Sequence, residues 1–168
     1  MRSTFPRFVL GLAFGLQAAG LAAHAAGSVQ VAYLQPEQFA DAGNRPGELE
    51  DTLKQLTRHF EALAQRHLAD GQKLSIEVLD IDLAGEVLPW RRGAQDVRVL
   101  KGQADWPRIS LRYTLESTGQ APRRAEHRVT DLAYLQRSAG YAAKEPLGHE
   151  KRMLADWFSA EFGAASAK

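Results

Sequence analysis

Hydrophobic and polar positions alternate most regularly between Trp106 and Ser117. The apolar residues of this segment share one parity, and arginine, serine and threonine occupy most of the other. Such alternation predicts an antiparallel strand that places one face on the core and the other in water. The apolar positions are Ile109, Leu111, Tyr113 and Leu115.

Four other segments have the composition of strands, because β-branched and aromatic residues recur in them between turn-forming residues. In the third strand of the chain we expect Val97 and Val99 to point inward. The last of the four is the least regular. The segments are Ser28–Leu34, Lys73–Leu83, Asp96–Gly102 and Arg123–Leu135.

Two segments repeat apolar residues every three or four positions, which predicts amphipathic helices. The first follows Pro46 and reaches Ala69, and the second opens at Lys144 and reaches Phe162. The order strand, helix, four strands, helix predicts a two-layer α+β domain, in which a mostly antiparallel sheet of about five strands packs against two helices. The first strand is placed to pair parallel with the second through the intervening helix.

The apolar parity changes inside the second strand. Leu74, Ile76 and Val78 share one parity, whereas Leu79, Ile81 and Leu83 share the other. One inserted residue between Val78 and Leu79, a β-bulge, would keep these side chains on the core face. The two aspartates that follow, Asp80 and Asp82, would then both point to water. The alternative is a strand that is covered on both faces, in different halves.

Asp80 and Asp82 are also candidate metal ligands, because two carboxylates this close need a cation, a shared proton or water. A calcium loop starting at Asp80 would need a ligand at its fifth position and a glutamate at its twelfth, where the chain has Ala84 and Arg91. The calcium loop is therefore disfavoured. A metal-binding protein or metal-dependent hydrolase remains an alternative, and its ligands would be Asp80, Asp82, Glu86 and His127.

Other catalytic patterns are incomplete. His149 begins a segment like the zinc motif H-E-x-x-H, but Met153 stands where the second histidine belongs, so we expect His149 to be exposed or in a first helical turn. The sequence has no cysteine, no G-x-S-x-G elbow and no glycine-rich phosphate loop. These observations favour a protein that is not an enzyme and needs no cofactor.

The N-terminus has the pattern of a signal peptide. Arg2 and Arg7 precede an apolar run from Phe8 to Ala23, and Ala23-His24-Ala25 fits a signal-peptidase site. We expect cleavage after Ala25, which leaves residues 26–168 as one periplasmic or secreted domain without a transmembrane segment.

The charge of the chain points to a possible partner in one segment only. Without residues 1–25 the chain has 19 basic and 20 acidic residues, a balance that does not suggest a nucleic-acid partner. The segment Arg91–Arg128, however, has nine basic and four acidic residues. It forms either a sheet that packs on acidic helices or a basic face for an envelope component. The candidate residues of such a face are Arg98, Arg108, Arg112 and Arg128, with Trp90 and Trp106 at its rim.

Three stretches together resemble a known family. They are "IEVLDIDLAGE" from Ile76, "DVRVLKGQADWPRISLRYTLE" from Asp96 and "PLGHEKRMLADWF" from Pro146. The chain from Pro36 to Phe162 is similar to the bacterial secreted family called domain of unknown function 3016. The resemblance implies a short exported protein of Gram-negative bacteria without an assigned activity, and it supplies no catalytic residues. A tyrosine is common in the family where His149 stands, so this chain departs from the pattern there.

Three functions remain open from the sequence. We favour a non-enzymatic periplasmic domain that binds an envelope component or a partner protein. The first alternative is the metal-dependent function described above. The second is a structural protein that self-associates through an uncovered edge strand.

Overall fold

A computed structural model describes residues 27–88, 97–102, 104–136 and 145–163. The expected signal-peptide cleavage site and Trp90 lie outside these ranges. A short 3-10 turn, Pro36–Gln38, follows the first strand. The regular elements are β1 (Ser28–Tyr33), α1 (Glu48–His67), β2 (Lys73–Asp82), β3 (Glu86–Leu88), β4 (Val97–Val99), β5 (Arg108–Glu116), β6 (Arg123–Thr130) and α2 (Gly148–Phe162).

Within the described ranges, the main sheet has four strands in the order β1-β2-β5-β6. β1 runs parallel to β2, with Ser28 beside Lys73 and Tyr33 beside Val78, and the other pairs are antiparallel. Both helices contribute side chains to one core with the apolar face of this sheet. The predicted two-layer α+β class, with a mostly antiparallel sheet and two helices, is confirmed.

The strand count differs from the prediction, because β4 does not join the main sheet. It pairs with β3, which lies outside the segments predicted as strands, in a separate two-stranded sheet. The expectation that Val97 and Val99 point inward is wrong for Val97, which is 46% exposed. Between them, Arg98 turns toward Asp41 instead. A three-residue strand carries too little pattern to show which of its faces is covered.

The β-bulge expected in β2 is present. Val78 pairs with Leu111 and Asp80 pairs with Ser110, so the register shifts and Leu79 has no partner of its own on β5. Leu79 is half-buried, whereas the apolar residues on both sides of the bulge are buried on the core face. The buried positions are Leu74, Ile76, Val78, Ile81 and Leu83.

The helices bury the stripes that their spacing predicts. On α1 the buried apolar residues include Leu56, Phe60 and Leu63, and on α2 they include Leu154 and Phe158. Burying each of these side chains contributes about 1.5–3 kcal/mol of transfer free energy. No helix in the described ranges is long and apolar enough to cross a lipid bilayer.

Candidate functional site on the open face of the sheet

The face of the main sheet opposite the helices is polar. Its residues alternate with the core positions and stand side by side across three strands because the antiparallel register aligns them. We call this surface the open face. Its residues are Lys73, Ser75, Glu77, Asp80 and Asp82 on β2, Arg108, Ser110, Arg112, Thr114 and Glu116 on β5, and Arg124, Glu126, Arg128 and Thr130 on β6.

The two aspartates of β2 both have donors from the protein. Asp80 accepts a hydrogen bond of 2.9 Å from the backbone amide of Ala40, and Asp82 forms an ion pair with Arg108 on the neighbouring strand. Asp82 and Arg108 are direct partners in the β2–β5 register, which explains the pairing. The bulge at Leu79 places both carboxylates on the open face.

The alternative metal ligands do not come together. His127 lies on the helix side of β6, because it is the register partner of buried Leu111, and so it is on the opposite face from Asp80 and Asp82. Its ring stacks on Tyr113, with 5.9 Å between ring centroids. Glu86 lies on β3 and pairs with Lys101. Among the described residues no group of three or more histidine, aspartate or glutamate side chains could hold a metal ion.

Arg98 forms its guanidinium hydrogen bonds within the protein. Its guanidinium donates two hydrogen bonds, of 2.8 and 3.0 Å, to the Asp41 carboxylate, and it also reaches the carbonyls of Ala84 and Gly85, both at 3.3 Å. Burial alone would lower the pKa of Arg98, but the Asp41 carboxylate outweighs it, and the pKa lies above its usual value. Arg98 therefore fastens the small sheet to the loop before α1 and is not on the open face.

The arginines of the open face differ in how far they are neutralised. Arg112 is exposed and forms an ion pair with Glu77, which raises the pKa of the guanidinium, and Glu126 adds to this. Arg128 is exposed, and its side chain forms no ion pair or hydrogen bond with another described residue. Arg124, which the sequence did not single out, is in the same situation. Since β2 contributes Glu77, Asp80 and Asp82, the open face is acidic on its β2 side and basic along β6.

A depression of about 400 Å³ lies on the open face. The small hydroxyl side chains of Ser75 and Thr114 are register neighbours at its floor, and Arg124 is the next residue in the same row. The adjacent row, Glu77, Arg112 and Glu126, forms a wall of larger charged side chains. Two hydroxyls beside a guanidinium that no other described side chain pairs with are suited to an oxyanion such as phosphate.

Trp106, the described member of the expected aromatic rim, is half-buried just before β5. The parity of β6 was the signal that could have identified Arg124, because Arg124, Glu126 and Arg128 alternate with Ala125, His127 and Val129. The irregularity of that strand obscured it, since His127 interrupts the apolar side.

A buried polar cluster at the start of α2 was also missed. We expected His149 to be exposed or to lie in a first helical turn. It lies in the first turn of α2, and it is buried, with 7% of its surface exposed. Its ring meets that of Tyr134 edge-on with centroids 5.0 Å apart, and neither ring nitrogen has a hydrogen-bond partner in the described part of the chain. The adjacent Glu150 carboxylate accepts a hydrogen bond of 2.8 Å from the amide of Ala84. The cluster thus joins α2 to the turn after β2.

Comparisons with known proteins give a family and no function. The chain matches no curated protein and no solved structure. The sequence model of one family matches residues 27–160, which is most of the chain and includes every strand of the described part and nearly all of α2. The protein therefore belongs to the family described as "Protein of unknown function (DUF3016)".

Proposed function

We propose that this chain is an exported, non-enzymatic binding module, and that its open face takes a phosphate-bearing component of the bacterial envelope. The observation that carries the proposal is the row Ser75, Thr114 and Arg124 at the depression, with Arg128 further along the same strand. These four side chains supply two hydroxyls and two cations that other described residues leave available.

Export is supported by two independent features of the chain. The basic and apolar segments before Ala25 have the order of a signal peptide. The family match begins at residue 27, two residues after the expected cleavage site, so the segment before it is not part of the family's shared domain. N-terminal sequencing of the protein from a periplasmic fraction tests this step, and a first residue other than one close to Ala26 would contradict it.

Phosphate is the favoured ligand chemistry because of how the charges are distributed. Arg108 and Arg112 are neutralised by Asp82 and Glu77, so an incoming anion would have to displace a carboxylate to reach them. Arg124 and Arg128 need no such displacement. They lie four residues apart on one strand face, about 13 Å at the usual rise per residue, so they can contact two phosphates or one phosphate and its neighbouring groups.

Binding is favoured over catalysis because both carboxylates that line the depression lie beside Arg112, Glu77 as its ion-pair partner and Glu126 as its register neighbour. Glu77 is held by Arg112 and so is a poor general base for a bound substrate. The remaining groups of the row, two hydroxyls and a guanidinium, hold an anion without a reactive nucleophile among them.

Vesicle sedimentation tests the proposal. The protein from Ala26 onward is mixed with vesicles of phosphatidylglycerol and phosphatidylethanolamine, and separately with vesicles of phosphatidylcholine. Reversing charge with Arg124→Glu and Arg128→Glu should weaken binding to the anionic vesicles by about tenfold or more, since each basic residue near such a surface contributes about 1 kcal/mol. The matched control is Lys54→Glu with Arg58→Glu, which makes the same change in net charge at exposed positions four residues apart on α1.

Titration with glycerol phosphate separates the possible sources of the phosphate. Binding of glycerol phosphate without binding to vesicles would assign a soluble phosphate ester, and binding to vesicles would assign a lipid headgroup. An equal loss of binding in the α1 control would mean that only net charge matters, and no binding of either probe would overturn the proposal.

A further inference from the structure

Among the described residues, β1 forms an edge of the main sheet, and one side of its backbone has no partner strand. The amide of Ser28 donates to the carbonyl of Gln72 at 3.0 Å, and the amide of Leu34 donates to the carbonyl of Val78 at 2.9 Å. In a parallel pair, alternate residues bond to the neighbouring strand. The even-numbered residues of β1 therefore bond to β2, and the N–H and C=O groups of Val29, Val31 and Tyr33 point away from the sheet.

The two edges of the sheet are protected to different degrees. β6 has charged residues along its length, among them Arg123, Arg124, Glu126 and Arg128, and such charges discourage pairing with another strand. β1 has the sequence SVQVAY, which contains no charge, no proline and no glycine. Its pairing with β2 is regular from Ser28 to Tyr33, so no bulge bends it away. Within the described part of the chain, β1 is thus an edge without the usual protection.

We propose that β1 pairs antiparallel with β1 of a second copy of this chain, with the two-fold axis at Val31. A two-fold axis requires this antiparallel arrangement, because each copy presents the same strand to the other. Val31 then faces Val31 of the second copy, and Val29 faces Tyr33. Each of these facing pairs exchanges two N–H···O bonds, so all the outward groups of Val29, Val31 and Tyr33 are satisfied. The two four-stranded sheets become one continuous sheet.

The side chains fit the same register. Val29, Val31 and Tyr33 are half-buried on the helix side of the sheet, next to Leu74, Ile76 and Val78, so the paired strand extends the apolar core sideways. The facing pairs are then valine with valine and valine with tyrosine, which are favourable cross-strand pairs. The Tyr33 hydroxyl donates to the Leu53 carbonyl at 3.0 Å, which fixes its ring against α1.

The β1 side chains on the side of the sheet opposite the helices impose no repulsion in this register. Gln30 faces Ala32 of the second copy, and both are exposed. Moving the axis to Gln30 would pair Val29 with Val31 and place Tyr33 opposite Gly27, which precedes β1. The axis at Val31 is therefore the register that keeps Val29, Val31 and Tyr33 paired with one another.

Charged substitutions at Gln30 and Ala32 test the proposal without disturbing the core, because both side chains are exposed. Sedimentation velocity of the protein from Ala26 onward, which contains every described element, should show a dimer. Gln30→Lys with Ala32→Lys places lysines opposite each other twice and should weaken the dimer by about tenfold or more. Gln30→Glu with Ala32→Glu should do the same, and an equimolar mixture of the two variants should recover a heterodimer.

Amide exchange gives a second, independent readout of the register. The amides of Val29, Val31 and Tyr33 should exchange slowly in the wild type and become fast in either charged variant, while those of Gln30 and Ala32 stay slow. A wild type that remains monomeric at high concentration, or a dimer that both charged variants leave intact, would overturn the proposal. A mixture that fails to form the heterodimer would show that the strands do not pair in this antiparallel register.

Discussion

Arg98 and Asp41 lie 57 positions apart in the sequence and form a forked ion pair, with nitrogen–oxygen distances of 2.8 and 3.0 Å. The backbone of Asp41 is hydrogen-bonded to β2 and to the residue that follows it: the Asp41 amide donates to the carbonyl of Ile81, and the Asp41 carbonyl accepts from the amide of Leu83. One side chain of the small sheet thus holds the loop before α1 against the main sheet. The stability of this region should depend on that guanidinium.

Arg98→Ala should lower the free energy of unfolding by about 2–4 kcal/mol, because it leaves the partly buried Asp41 carboxylate without its counter-charge. Lys101→Ala is the control on the same part of the chain, since Lys101 pairs with Glu86 at an exposed position and should change stability by about 0.5 kcal/mol or less. Urea unfolding followed by circular dichroism measures both. Equal effects of the two substitutions would contradict a structural role for Arg98.

His149→Phe should stabilise the protein. The ring nitrogens of His149 are buried and unpaired in the described ranges, and phenylalanine keeps the ring contact with Tyr134 without those polar atoms. Removing an unsatisfied buried polar group is expected to raise the free energy of unfolding by about 1 kcal/mol. His149→Ala, which also removes the ring, should instead lower it by about 2 kcal/mol or more. A loss of stability in the phenylalanine variant would mean that the imidazole has a polar role.

Stability should fall as the pH drops below the ordinary pKa of histidine, and His59 should account for part of that fall. His59 Nε2 donates a hydrogen bond of 2.7 Å to the carbonyl of Lys151, and burial lowers the pKa of His59 despite that bond. The unfolded chain, with a histidine pKa of about 6.5, then takes up a proton that the folded protein resists. The contribution is present above about pH 6.5 and is lost as the pH falls below it.

His59→Gln should therefore reduce the slope of stability against pH. Glutamine keeps a donor for the Lys151 carbonyl but does not titrate. Urea midpoints measured between about pH 7.5 and 5.5 should change less in the variant than in the wild type, a window that lies above most carboxylate titration. Parallel curves for the two proteins would assign the pH dependence to other groups.

Deleting Leu79 should preserve the fold. Without this residue β2 becomes a regular strand in which Val78 and Ile81 remain inward and Asp80 and Asp82 remain outward. Deleting Ser75 is the matched control, because it reverses the parity of one part of the strand and moves Leu74 out of the core. We expect the first deletion to give a cooperative unfolding transition and the second to lose most of it. Equal damage by both deletions would mean that the bulge itself is required.

The bulge was predictable because its signal is local. The change of parity between Val78 and Leu79 needs only the neighbouring residues, and the same is true of the α1 and α2 stripes. The β3–β4 pair was not predictable, since Val97 and Val99 resemble core residues although their strand is three residues long. The ion pairs of the open face depend on register, so the sequence did not show that Arg108 meets Asp82 or that no described side chain pairs with Arg128.

The buried cluster at α2 escaped prediction for a different reason. His149 and Glu150 are polar, and polar residues at a helix start usually face water. Their burial results from contacts with Tyr134 and Ala84, which are distant in the sequence. Such contacts leave no periodic pattern.

The parallel pairing of β1 with β2 has a consequence for how the molecule assembles. Ser28 and Lys73 can pair only across the whole of α1, which lies between them in the sequence. β5 and β6 are instead joined by a short turn, and Leu115 pairs with Arg123 where the two strands meet that turn. Contacts between distant residues form slowly because the intervening chain must first lose entropy. The sheet should therefore grow from β5 and β6 through β2, and β1, although first in the sequence, should be the last strand to become ordered and the first to detach.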